Sequence, residues 1–445
     1  MKTTVLLAAV LLSLSFATVR AEGDMPENVI FMIGDGMGVS HVTLTRVVTG
    51  NLNMDRFPYG GIVTTHPLPS SGLITDSAAA GTALATGYKT DNGVISQMPT
   101  GEKLKTAFEA AIESGKSAGI VTTSKITDAT PACFYAHTAG RSNEDEIAEQ
   151  LLISGADVIL GGGLGYFLPS GTEGSKRKDS LNLTSEFEKE GYRFVRNRKE
   201  LLKVEEAPVI GLFTPSYMSF ELDRDENEPS IAEMTQKAIE LLSRSKNGFF
   251  LMVEGGRIDH EAHANDAAGV IAETKAFDEA IGLALDFASD NGKTLVVVTA
   301  DHSTGGMTLG SGTKQWYKPE LLRSDISFEN FAPLLTGEQQ NMRDLFERHY
   351  GITDLTDEEM NNIAETVKGG DLYTIESAIA KVVSARTNIV FTTTQHDGGA
   401  VPLFSYGPGA FGGFLDNTEV GSNIKVMTEH KEEGMIGRII ERIRH

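Results

Sequence analysis

The stretch "NVIFMIGDGMG", residues 28–38, decides how the rest of the chain is read. Its apolar run is too short for a helix and closes on Gly-Asp-Gly. That pattern reads as a strand buried on both faces and ending in a turn. Four more runs share the character: "AGIVTT" (118–123), "ADVILGG" (156–162), "GFFLMVEG" (248–255) and "TLVVVTA" (294–300). Helically spaced segments lie between them: "LKTAFEAAIESG" (104–115), "EDEIAEQLLISG" (144–155) and "IAEMTQKAIELLSRS" (231–245). The first two close on Gly, as C-terminal caps do. The alternation predicts an α/β fold, a mainly parallel sheet flanked by helices on both faces.

Two regions break the rhythm. Residues 166–206, with "GTEGSKRKDSLNLTSEFEKEG", read as a solvated surface excursion. Residues 310–385 carry the single tryptophan, Trp316, and charged helical segments, and read as an inserted cap. Residues 22–445 are otherwise one domain. Residues 1–21, with one lysine, an apolar run from Val5 to Phe16 and small residues beyond, read as an export signal cleaved after Ala21 or Ala17. No later segment has the length and apolarity of a membrane span. The expected location is outside the cytoplasm, periplasmic or secreted.

The 61 acidic against 39 basic side chains give a formal charge of -22. Such a surface repels nucleic-acid phosphates and anionic membranes, which excludes a dedicated polyanion-binding role. A single cysteine, Cys133, rules out an intrachain disulfide.

In open parallel sheets, ligands bind beyond the carboxyl ends of the strands. Four of the five strands lead into residues suited to metal or phosphate chemistry. These are Asp35 in "GDGMG", Asp128 and Thr130 in "TDATPA", Glu254, Asp259 and His263 in "EGGRIDHEAH", and Asp301 and His302 in "ADHSTGG". Singly each has a plain reading: a turn aspartate, a cap, or a helix-face salt bridge between Asp259 and His263 instead of two ligands to one ion. Their joint recurrence at strand ends favours a metal centre. Mixed carboxylate and imidazole ligands suit zinc, and oxygen-only ligands suit magnesium. His396 in "QHDGGAVPLFSYGP" is a further ligand candidate, whereas His41, His66, His137, His349, His430 and His445 read as surface or packing residues. In "LITDSAAAGTALATG" (73–87), Ser77 stands where a strand-like lead meets a helix. It is either an ordinary cap or a nucleophile meeting phosphate at the helix start. The small "AAAG" run after it reads as room for ions and substrate.

The ordered blocks "NVIFMIGDGMG", "TDSAAAGTALATG", "DATPACFYAHTAGR", "VEGGRIDHEAHAND", "TADHSTGG" and "QHDGGAVPLFSYGPGA" resemble alkaline phosphatases from Asn28 to Ala410. The resemblance implies hydrolysis of small phosphomonoesters through a phosphoserine on Ser77. It implies one zinc on Asp259, His263 and His396, a second on Asp301 and His302, and Asp35 bridging the second zinc to a magnesium. Thr130 and Glu254 complete the magnesium site, and Arg141 clamps phosphate beside Asp128 and His260. A homodimer is also implied. His260 follows the animal members and Asp128 the enteric bacterial ones, so this chain mixes two family patterns next to the third metal.

Overall fold

An eleven-stranded sheet organises the chain, in the order β1-β15-β3-β14-β9-β2-β8-β4-β5-β7-β6. Its strands are β1 (Val19–Arg20), β2 (Asn28–Gly34), β3 (Tyr59–Thr64), β4 (Ser117–Lys125), β5 (Val158–Gly162), β6 (Arg193–Val195), β7 (Val209–Leu212), β8 (Phe249–Gly255), β9 (Thr294–Thr299), β14 (Val401–Tyr406) and β15 (Phe411–Asp416). Two small ribbons add β10 (Ser303–Thr304) with β13 (His396–Asp397), and β11 (Met307–Leu309) with β12 (Ile389–Phe391). From β9 across to β6 every neighbouring pair is parallel, and β14 is antiparallel to both its partners. This is a computed structural model, describing residues 19–20, 25–310, 322, 324–336 and 338–429. Most of the signal segment and Trp316 lie outside the described residues.

The five strands read from sequence are β2, β4, β5, β8 and β9. Their continuous burial explains the unbroken apolar runs: β5, β8 and β9 are buried at every position. Successive side chains on a strand point to opposite faces. Accordingly Phe249 meets Phe287 of the helix Ala267–Asn291, while Phe250 meets Phe108 and Phe134 of the helices Ala107–Glu113 and Ala129–Tyr135. Helices therefore cover both faces.

The stretch 166–206 is mostly exposed or half-buried, as a surface excursion would be, but apolar anchors tie it into the body. Its strand β6 extends the sheet edge, and Phe167, Leu183, Phe187, Val195, Leu201 and Val204 join the main core. Its many charged residues mask sparse apolar anchors.

The helices Phe328–Phe331, Gln339–Tyr350, Asp357–Gly369 and Leu372–Thr387 lie between β11 and β12. They share a core of their own that includes Phe331, Phe346, Tyr350 and Ile379. These helices are inserted between the two strands of a small ribbon.

Candidate active site

Strand register assembles the floor of the site. Ile33 of β2 is level with Glu254 of β8 and with Thr299 of β9, and Glu254 is level with Thr122 of β4. Asp35 and Asp301 each follow two residues after a registered position, so both emerge at the rim beside Glu254. Asp35 Oδ2 accepts from the Thr130 hydroxyl at 3.2 Å, and Asp301 Oδ1 from the Gly36 and His302 amides at 3.1 and 2.9 Å. Thr122 donates to Glu254 Oε2. The other oxygens, Asp35 Oδ1, Asp301 Oδ2 and Glu254 Oε1, are buried and find no hydrogen-bond partner among the described residues.

Burial pushes all three carboxyls up, and repulsion from neighbouring carboxylates, Asp259 and Asp128 among them, adds to it. Glu254 rises to about 8 against the opposing Thr122 bond, and Asp301 to about 7 against its backbone donors. Dry, crowded carboxylate oxygens without donors are the chemistry of a divalent-cation cradle.

Asp259 and His263 lie on one face of the helix Arg257–Ala264, with His263 Nε2 3.2 Å from Asp259 Oδ2. His396 Nε2 is 3.7 Å from Asp259 Oδ1. The Nδ1 atoms of His263 and His396 meet the carbonyls of Thr394 and Thr75 at 2.6 and 2.9 Å. A carbonyl only accepts, so each Nδ1 holds a hydrogen and each Nε2 faces the carboxylate, the orientation a metal ligand needs. Burial lowers His263, but the Asp259 bond outweighs it and raises the ring to about 9. A cation binding there must displace that proton.

His302 Nε2 lies 3.2 Å from Ser77 Oγ, 3.2 Å from Asp301 Oδ2 and 3.4 Å from Asp35 Oδ1. Its ring stacks on that of His396 with centroids 3.6 Å apart. Two groups offer ligand atoms all within 4.8 Å of one another: Asp259 with His302 and His396, and Asp35 with Asp301 and His302. His302 thus belongs to both, whereas the resemblance places it in one set, and His263 stands at the edge.

Ser77 is not the cap of its helix. Asp76 holds that place: its Oδ1 accepts from the Ala79 amide at 3.0 Å, and Oδ2 from the Gly93 amide at 3.0 Å. The Ser77 hydroxyl, in the first turn, is left facing the imidazole. The small run beyond it serves helix packing rather than ligand access. All of Ser77–Thr86 is buried, and a methyl on Gly81 would lie 3.1 Å from the sulfur of Cys133.

Arg141 spans two carboxylates, Asp76 at 3.2 Å from Nη1 and Asp128 at 3.2 Å from Nη2, with its side chain 36% exposed and open to a ligand. Asp128 is half-buried, and its desolvation alone raises its carboxyl, yet Arg141 and Lys125 hold it below the usual range. His260 is held to about 3 by burial and by Arg257.

The supporting residues Thr122, Ser124 and Thr304 were not singled out by sequence. Ser124 donates to Asp128 at 2.9 Å, and Thr304 donates to Asp259 at 2.5 Å while touching His302 Nδ1 at 3.2 Å. Thr304 lies inside "ADHSTGG" and Thr122 inside "AGIVTT", so both were within view. The carbonyls of Thr75 and Thr394 have no side-chain signature.

Glu261 of the helix Arg257–Ala264, and Asp266 and Glu273 at the start of the helix Ala267–Asn291, are all buried, and both oxygens of Glu261 lack hydrogen-bond partners among the described residues. Burial raises Glu273 from 4.5 to about 8, against the backbone bond from Glu221. The folded state then binds the proton more tightly than the unfolded one. This contribution is full below about pH 4.5 and is lost as pH rises through about 8. Glu273→Gln keeps an acceptor for the Glu221 amide and removes the titration. The variant is expected to gain on the order of 3 kcal/mol over wild type at pH 9 relative to pH 5. Denaturant unfolding of metal-saturated protein at both pH values checks it; a pH-independent difference contradicts it.

A sequence profile described as alkaline phosphatase matches residues 26–430. The chain belongs to the alkaline phosphatase family. Alkaline phosphatase 4 of Bacillus subtilis is 40% identical over 409 residues, covering 88% of this chain and 86% of the relative. The crystal structure of Thermus thermophilus alkaline phosphatase superposes with a TM-score of 0.83 at 32% identity, covering 93% of each chain. A mutant of alkaline phosphatase from the Antarctic bacterium TAB5, solved with Mg bound in its M3 site, superposes at 0.69 with 29% identity, covering 92% of this chain and 99% of that one. As a member of that family the chain is a metal-binding hydrolase of phosphomonoesters. No helix among the described residues is long and apolar enough to cross a membrane.

Proposed function

We propose that this alkaline phosphatase family member hydrolyses small phosphomonoesters in two steps through a phosphoserine on Ser77, using two zinc ions and one magnesium ion. The observation that carries the reading is the Ser77 hydroxyl, 3.2 Å from His302 Nε2 beside three buried carboxylate oxygens that lack donors. Asp259, His263 and His396 would hold one zinc, Asp301 and His302 the second, and Asp35 the position between it and a magnesium completed by Thr130 and Glu254. The imidazole and carboxylate donors and the displaceable proton on His263 fit such ions. When bound, these ions supply Lewis-acid neutralisation of charge and ease deprotonation of oxygen nucleophiles.

The chain's own groups do the following. Ser77 Oγ gives up its proton and forms a bond to phosphorus as the ester oxygen leaves and takes a proton. Water then attacks the phosphoserine, releasing phosphate and restoring the hydroxyl. Ser77 stands at the positive end of a helix, which favours the incoming anion. Arg141, pinned by Asp76 and Asp128, presents its remaining N–H groups as a fork to two phosphate oxygens, with Asp128 and His260 completing that side.

Arg141→Ala removes this clamp. The expected result is a KM for phosphomonoester and an inhibition constant for phosphate both raised about 10- to 100-fold, with kcat less affected. Steady-state kinetics with product inhibition check it; unchanged constants contradict it.

The reading is tested by turnover of a chromogenic phosphomonoester against a phosphodiester at alkaline pH, with acid-quenched samples analysed for a phosphoryl group on the Ser77 peptide. Monoester preference with trapped phosphoserine supports it. Diester preference, or turnover with the group on another residue, overturns it. The proposed location is periplasmic or secreted, on the composition of residues 1–21. The proposed assembly is a homodimer, for which Phe414 and Ile62, paired across β15 and β3 and 73% and 42% exposed, supply apolar surface.

A further inference from the structure

Arg257 lies three residues before His260 on the helix that carries Asp259 and His263, and its side chain meets Phe220, Tyr217, Glu329 and His260. It is 5% exposed, an unusual burial for a guanidinium. Its charge is accommodated by aromatic faces: the guanidinium carbon is 3.5 Å from the centre of the Phe220 ring and 5.3 Å from that of Tyr217. Nη2 reaches Glu329 of the cap at 3.5 Å, and the main-chain amide donates to the Thr123 hydroxyl at 3.2 Å. Nη1 meets His260 Nδ1 at 3.0 Å.

A guanidinium has donors and no acceptor. The contact at 3.0 Å therefore requires His260 Nδ1 to be bare and leaves the ring hydrogen on Nε2. The edge of Tyr217, with centroids 4.5 Å apart and planes 65° inclined, restricts rotation of the ring. Asp128 lies within electrostatic range of the same imidazole. His260 is thereby presented as a neutral donor through Nε2 on the side where Asp128 and Arg141 stand.

We infer that Arg257 is a positioning residue for the phosphate side of the site: it locks His260 as the Nε2–H tautomer and, through Glu329, ties that orientation to the cap. The inference rests on the reading of Asp128, His260 and Arg141 as the phosphate-binding side. A lysine at this position cannot bond His260 and stack on Phe220 at once, because its ammonium lacks the planar fork.

The test uses the full-length, metal-loaded enzyme. Histidine-selective nitrogen-15 labelling, with the His260 signals assigned by their loss in His260→Gln, reports which ring nitrogen is protonated. Wild type is expected to show Nδ1 bare and Nε2 protonated; the opposite tautomer overturns the inference, and this readout needs no variant of Arg257. In a double-mutant cycle, Arg257→Met is expected to lower kcat/KM about tenfold in wild type, the cost of about one such hydrogen bond. In the His260→Gln background the same change is expected to cost less than about twofold, because its target is gone. An equal loss in both backgrounds, or no loss in folded Arg257→Met, overturns the inference. Failure of phosphoserine trapping would strike the proposed reaction while leaving the tautomer result standing, so the two outcomes are separable.

Discussion

Ser77→Ala is expected to lower kcat for a phosphomonoester by about 10^4-fold or more, while thermal stability and metal content stay close to wild type. The separation of effects follows from the local structure. Asp76, not Ser77, caps the helix, and its two oxygens serve the Ala79 and Gly93 amides and Arg141. Alanine is the best helix former, and deleting one hydroxyl from a first-turn position leaves the cap untouched. The lost contact is the one with His302 at 3.2 Å. Removing the cap itself, by Asp76→Ala, should instead cost about 1 kcal/mol of stability. Initial rates, elemental analysis and a thermal melt of the Ser77→Ala protein decide the matter; activity within tenfold of wild type would remove Ser77 from the reaction.

Stripping the protein with a chelator is expected to abolish turnover and lower Tm by about 10 °C, with zinc plus magnesium restoring both. The stability effect has a direct source in the rim. Asp35, Asp301 and Glu254 crowd one dry pocket with oxygens that lack donors. Without cations those groups must either repel one another or take up protons, which burial already favours at Asp301 and Glu254, raised to about 7 and about 8. Cations that bind only the folded state stabilise it by mass action. The loss on stripping should therefore deepen as pH rises above 8, where the carboxyls can no longer stay protonated. Melts of stripped and reloaded protein across this range, with metal content measured in each, check it. Full activity in protein shown to be metal-free would refute the metal assignments.

Much of the architecture is legible because its causes are local. The runs that became β2, β4, β5, β8 and β9 are buried on both sides, so their apolar character is continuous. Asp35, Asp301 and Glu254 announce themselves by standing at or just beyond the ends of such runs. What was not legible has physical reasons as well. Charged residues in 166–206 outnumber the anchors Leu183, Phe187 and Val195 that join it to the core. The "AAAG" run looks like open space until Cys133, more than fifty residues away in sequence, is seen packed against Gly81. A capping serine and a capping aspartate are equivalent on paper, and only backbone geometry places Asp76 at the cap.

Sequence alone determined which residues could act: strand ends bearing acids, a helix start bearing an alcohol, and an i,i+4 acid–imidazole pair on one helix face. Each depends on neighbours a few positions apart, where periodicity and capping operate. The tertiary structure decided how those groups meet. Parallel register brings Asp35, Glu254 and Asp301 to one rim, and the carbonyls of Thr75 and Thr394 aim His396 and His263 at Asp259. His302 is drawn between both ligand groups and Ser77, and Arg257 sets the donor face of His260. These depend on atoms a few ångströms apart in space, contributed by segments far apart along the chain, and no local pattern encodes that distance.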